Sequence, residues 1–202
     1  MPIKWRAPLR KAILLTLGIV AASPVYAQPE PIINFNIQHY SVSGLTTGEI
    51  SKSVFQNTPV KGAFGRYGAV THNRFTTNYS SVAMAQGGCE VKNALIQLDS
   101  TIVLPQLIEA GQSEAVMAEW GRYIGALRAH EMMHANNGKY TAETLASRLY
   151  DFKTALPCVQ MRAMLDQAVN QLIQNMGDFD TKLDMQTEHG KSQGAFLRPD
   201  FR

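Results

Sequence analysis

Cysteine is scarce in this chain. Cys89 and Cys158 are the two among 202 residues, too few for a disulfide-dense scaffold or a four-cysteine metal site. Long apolar runs are equally scarce. The stretch from Ala12 to Ala22 is 11 residues long, too short to span a bilayer, and no comparable run follows it. No cysteine follows that run closely, which argues against a lipid anchor. Basic clusters are missing beyond the first residues. The whole chain has 19 Lys and Arg against 16 Asp and Glu, but four of the basic residues and no acidic one fall in residues 1–27. The remainder, 15 against 16, is nearly neutral and offers no electrostatic footprint for nucleic acid.

Residues 1–27 themselves have the layout of a secretory signal peptide. Lys4, Arg6, Arg10 and Lys11 form a basic head, an apolar run follows, and "VYA" supplies small residues for cleavage after Ala27. The expected location is the periplasm or the extracellular space, with no stable membrane insertion after cleavage. Residues 28–202 suit one domain with a sizeable core. Export carries Cys89 and Cys158 into an oxidising compartment, where they read as one disulfide, with two buried free thiols as the alternative.

Strand signals come first. Ile33, Phe35 and Ile37 alternate with polar residues, and Tyr40 and Val42 continue in the opposite phase, which predicts a bulge near His39. Thr46 and Glu49 form a capping box for a short helix closed by Pro59. Residues 60–68 are glycine-rich and loop-like. Phe75, Thr77 and Tyr79 suggest a second strand. Val91 to Leu104 reads as a longer one, with Ile96, Leu98, Ile102 and Leu104 on one face and Pro105 as its end.

From Ser113 the period becomes helical, with Val116, Trp120, Tyr123, Leu127, His130 and His134 on one stripe. A further helical stretch is expected from about Thr141 to Leu156, and another after Pro157 with Met161, Leu165, Ala168, Leu172 and Ile173 inward. Gly121 and Gly125 suggest a close approach by another segment. The tail from Thr187 reads as loop. Strands followed by helices predict an α+β domain: a small antiparallel or mixed sheet with a helical C-terminal half, zincin-like in arrangement.

His130, Glu131 and His134 spell H-E-x-x-H. Residues four apart stack on a helix, so two ring nitrogens can reach one Zn2+ ion about 2 Å from each. The adjacent carboxylate is placed to take a proton from water that zinc activates. Burying two imidazoles and a carboxylate without partners would cost several kcal/mol, and a metal ion supplies those partners. A catalytic zinc takes three protein ligands and leaves one position open. His189, on a loop beside Gly190, is the first candidate for the third. Glu143 qualifies only if Asn136-Asn137-Gly138 breaks the helix, because an unbroken helix places it about 13 Å down the axis. Asp184, His39 and His72 complete the candidates. Tyr79 and His72 are weak candidates for an oxyanion donor. Asp178, Asp180 and Asp184 lack the glycine and closing glutamate of a calcium loop and read as a solvated face.

The chain resembles the bacterial domain-of-unknown-function 922 family, described as predicted secreted zinc-dependent proteases. The resemblance rests on "YSVSGLT" at 40–46, Cys89 before a strand ending in "LP", "HEMMH", "PC" at 157–158 and "TEHGKSQGA" at 187–195. It implies a zinc site that includes His189 and favours pairing Cys89 with Cys158. Phe75 and Tyr79 stand where the family tends to carry tryptophan, so the cleft's detailed shape is not carried over. The reading is a zinc metallopeptidase acting on peptide or protein, with Glu131 as general base. A zinc hydrolase of another amide, such as a cell-wall peptide, is one alternative. A non-catalytic, metal-stabilised binding protein is the other.

Overall fold

A computed structural model describes residues 30–62, 65–108 and 110–199; the proposed leader lies outside them. The architecture is α+β with a mixed sheet. Strand β5 (Cys89–Leu107) is central, with β1 (Ile32–Val42) parallel on one side and β4 (Val70–Ala83) antiparallel on the other. Helix α1 (Thr47–Asn57) follows β1. A two-stranded ribbon, β2 (Lys61–Gly62) with β3 (Gly65–Arg66), forms within the segment read as loop. Helix α2 (Glu114–Leu149) crosses the sheet, β6 (Lys153–Thr154) pairs with the start of β5, and α3 (Cys158–Thr187) packs on α2.

The capping box forms as the sequence predicts. Glu49 N–H donates to Thr46 Oγ1 at 3.2 Å, and Glu49 Oε2 accepts from the backbone N–H of Thr46 at 3.2 Å. The bulge is in a different strand from the one expected. β1 pairs with β5 residue for residue from Ile32 to Val42, and the irregularity falls in β5 opposite Asn78–Ser80. Asn93 takes φ 51° there, and the inward set passes from Cys89 and Val91 to Ile96 and Leu98. β1 and β5 change phase together near Tyr40 and Pro105, so neither needs an extra residue. Nor does Pro105 end β5. It lies past the last β4 pair, Val70 with Val103, where β5 keeps β1 as a neighbour and one edge tolerates a missing N–H.

Helix α2 is continuous through Asn136, Asn137 and Gly138, and the stretch expected to be helical to Leu156 ends at Leu149. Tertiary contacts override the weak local propensity. Asn137 Nδ2 donates to the Met176 carbonyl on α3, while Gly138 makes room for Asn73, whose Nδ2 donates to the His134 carbonyl at 3.0 Å. Among the described residues, nothing packs against Gly121 or Gly125. On α3 the inward residue after Leu165 is Val169, and Ala168 is exposed.

Two cores lie under the helices. One gathers Val42, Ile50, Val54, Ile102 and Leu104 with Val116, Trp120, Tyr123 and Leu127 of α2. The other gathers Val91, Ile96 and Leu98 with Leu145 and Leu149 of α2 and Met161 and Leu165 of α3. Cys89 and Cys158 form a disulfide in the second core, which suits an oxidising extracellular or periplasmic compartment. Among the described residues, no helix is long and apolar enough to cross a membrane. His130, Glu131 and His134 sit on α2 where the two cores meet.

Candidate metal centre

The buried stripe of α2 carries both histidines inward: His130 is 2% exposed and His134 7%, with Glu131 at 5% beside them. The one-turn offset brings their Nε2 atoms to 3.3 Å. From α3, Asp184 Oδ1 lies 3.0 Å from His130 Nε2 and 3.1 Å from His134 Nε2. His130, His134 and Asp184 thus form a group of three whose ligand atoms all lie within 4.8 Å of one another.

The triangle fits a small divalent cation. A tetrahedral ion with bonds of about 2.0–2.1 Å holds its ligands about 3.3 Å apart, close to the 3.0–3.3 Å found here. Two imidazoles and one carboxylate suit zinc better than calcium or magnesium, which take oxygen donors. The remaining ring nitrogens face acceptors: His130 Nδ1 lies 2.9 Å from Gln193 Oε1, and His134 Nδ1 lies 3.0 Å from Asp180 Oδ1. Both rings can therefore carry Nδ1–H and turn an Nε2 lone pair to the centre.

The electrostatics agree. Burial alone would lower the His134 pKa, but Asp180 and Asp184 overcome it and push it up to about 10. Asp184, despite burial, is held well below the usual carboxylate range by hydrogen bonds from both histidines. A cation at the centre can replace the proton that these carboxylates hold on the histidine pair. Burial pushes the Glu131 carboxyl up, against a hydrogen bond from Thr71 Oγ1 at 2.7 Å. Thr71 stands at the start of β4, so the sheet holds Glu131 directly.

His189 lies beside this group. Its Nδ1 is 3.4 Å from Asp184 Oδ2, the far oxygen of the same carboxylate, and its ring packs 4.2 Å from that of Tyr67. The "TEHG" segment makes the turn that places it. Thr187 Oγ1 donates to the Leu183 carbonyl and accepts from Gly190 N–H, while Glu188, His189 and Gly190 all take left-handed backbone. A Cβ on Gly190 would lie 2.9 Å from His130 Cγ, so glycine lets the chain pass over the ring.

The other candidates fall elsewhere. Glu143 is exposed on the unbroken helix, paired with Lys139. His39 and His72 are exposed on their strands. Tyr79 is tied to α3, donating to Asp166 Oδ1 at 2.6 Å. Asp184, a lesser candidate for the third ligand, and Asp180, read as part of a solvated face, both turn to the histidine pair. Their spacing of four mirrors that of His130 and His134, a signal of two facing helical pairs that the sequence offered. Gln193 and Thr71 carried no comparable signal.

A cleft of about 660 Å3 opens over the centre. Val54, Phe55, Tyr67 and Leu197 give it an apolar wall, and His130, Glu131, Asp184 and His189 a polar one. No curated protein and no solved structure matches the chain. A family model described as bacterial protein of unknown function (DUF922) matches residues 37–190, the span that carries the histidine pair, Asp180, Asp184 and the "TEHG" turn. On that match, over most of its length, the chain belongs to the DUF922 family.

Proposed function

We propose that the protein is an exported zinc-dependent metallopeptidase, zincin-like in arrangement, with Glu131 as its general base. The observation that carries this is the triangle of His130 Nε2, His134 Nε2 and Asp184 Oδ1 beside a buried carboxylate at the floor of a cleft. His130 and His134 hold the ion, and Asp184 takes the third position in this geometry. His189, the third ligand favoured by sequence, is proposed as the fourth protein group of the centre, gripping the outer oxygen of Asp184.

Bound zinc supplies Lewis acidity that activates water and polarises the scissile carbonyl. Glu131 then receives the water proton and delivers it to the leaving amine. Its buried setting raises its proton affinity, and Thr71 fixes the carboxylate's direction. The apolar wall of the cleft favours a peptide with a large apolar side chain near the scissile bond.

The test is hydrolysis of denatured protein, with peptidoglycan in parallel, by the mature chain and by Glu131→Gln. The expected result is zinc binding by both and loss of hydrolysis on the order of 1,000-fold or more in the variant. Unchanged hydrolysis in the variant removes Glu131 from the mechanism. Zinc affinity assigns the third ligand: Asp184→Ala should weaken it more than His189→Ala, and the reverse order returns that position to His189.

A further inference from the structure

Each histidine of the centre is gripped at its second nitrogen, and the two grips differ in chemistry and in origin. His134 Nδ1 meets Asp180 Oδ1 at 3.0 Å. That same oxygen accepts from Asn137 Nδ2 at 2.9 Å, and Asn137 also donates to the Met176 carbonyl at 3.2 Å. The grip on His134 is a carboxylate fixed within the packing of α2 on α3. His130 Nδ1 meets Gln193 Oε1 at 2.9 Å, while Gln193 Nε2 points to the Met133 sulfur at 3.5 Å. That amide orientation presents an acceptor to the ring. Gln193 sits on the 3-10 turn Lys191–Gln193, between two left-handed glycines.

That turn is anchored from beyond. Arg122 on α2 donates to the carbonyls of Gly194 and Phe196, and Glu119 accepts from Arg122 and Arg198. Residues 190–198 therefore form a strap along α2, and Gln193 reaches the centre from it.

Resting on the metal reading above, we propose that Asp180 and Gln193 are the positioning residues of the centre. Asp180 fixes His134 and makes it the stronger donor. Gln193, uncharged, fixes His130 and makes the C-terminal strap a working part of the metal site. Carboxylate or amide acceptors behind a ligating imidazole set its tautomer and ring angle and raise its basicity. Each acts through the Nδ1 of a histidine whose Nε2 faces the triangle.

The experiment is competition between the mature chain and a chromophoric chelator for zinc alone at one fixed pH, repeated with cobalt(II) to read visible ligand-field bands. Asp180→Ala should bind zinc on the order of 10- to 100-fold more weakly, and Gln193→Ala about tenfold more weakly. Asp180→Asn, which keeps the volume and an acceptor oxygen, should lie between Asp180→Ala and the unaltered protein, and it carries the test if the alanine variant does not fold. Gln193→Glu should restore the unaltered affinity or exceed it, and both alanine variants should shift the cobalt bands. Zinc binding by the unaltered protein with affinity and bands unchanged in Asp180→Asn and Gln193→Ala overturns this inference and leaves the metal reading intact. Failure of the unaltered protein to bind zinc overturns the metal reading itself.

Discussion

The first half of α2, around Trp120 and Tyr123, and its second half, around Leu145 and Leu149, rest on the same sheet through ordinary apolar packing. They are locked by different chemistry. Near the first half, the buried carboxylate of Glu119 accepts from both Arg122 and Arg198 and ties the C-terminal strap to the helix. Near the second, the Cys89–Cys158 disulfide ties β5 to the start of α3. One lock answers to pH, the other to redox potential. The centre lies between them, taking His130 and His134 from α2, Asp184 from the far end of α3 and Gln193 from the strap. The geometry of the candidate metal centre thus depends on how three separately anchored segments meet.

Breaking the redox lock should have the largest effect on stability. Replacing Cys89 and Cys158 by serine opens a loop closed over a separation of 69 residues, and the chain-entropy relation gives a loss of about 4 kcal/mol. Denaturant unfolding with and without reductant measures it. Zinc affinity of the folded variant should change less than threefold, because α3 places Cys158 more than about 30 Å from Asp184 along its axis.

Breaking the ionic lock should cost less stability and more function. Glu119→Gln leaves two partly exposed arginines short of their shared carboxylate, a loss of about 2–3 kcal/mol. The Arg122 and Arg198 hydrogen bonds hold the Glu119 carboxyl well below its ordinary range. A group with a depressed folded pKa contributes stability above its unfolded value, about 4.3, and that contribution drains away as pH falls through the folded value. Unfolding followed from pH 5 to pH 2 should therefore be steeper in the unaltered protein than in Glu119→Gln. Because the strap carries Gln193, the same variant should also bind zinc more weakly, which the serine variant does not.

Gly190→Ala probes the seam itself, with the smallest stability change. It places a Cβ against His130 and forces alanine to φ 80°, a cost of about 1–2 kcal/mol. Chelator competition should show weakened zinc affinity out of proportion to that loss.

Much of this was legible in the chain. The stripe from Val116 to His134 is a same-face repeat, and local geometry alone buries it. The box at Thr46 and Glu49 is equally local. Gly190 signalled a close turn, and the turn lies over His130. Misreadings arose where distant contacts decide. Asn136-Asn137-Gly138 resembles a helix stop, yet Asn137 anchors to α3 and Gly138 seats Asn73. Asp180 resembles a solvent-facing acid until α3 is laid against α2, whereas Asp184 already stood among the candidate ligands. Pro105 resembles a strand end until the extent of β4 is known. Gln193 could not be chosen from sequence, because nothing local to "GKSQG" indicates which ring it will meet.

The central claim is a zinc ion held at His130, His134 and Asp184. Calorimetric titration of zinc into chelator-stripped mature protein tests it most directly. The account predicts one equivalent bound per chain, protons released on binding as the ion displaces those shared by the histidines and Asp184, and no such binding in His134→Ala. Absence of uptake in the unaltered protein, or undiminished uptake in His134→Ala, would contradict it.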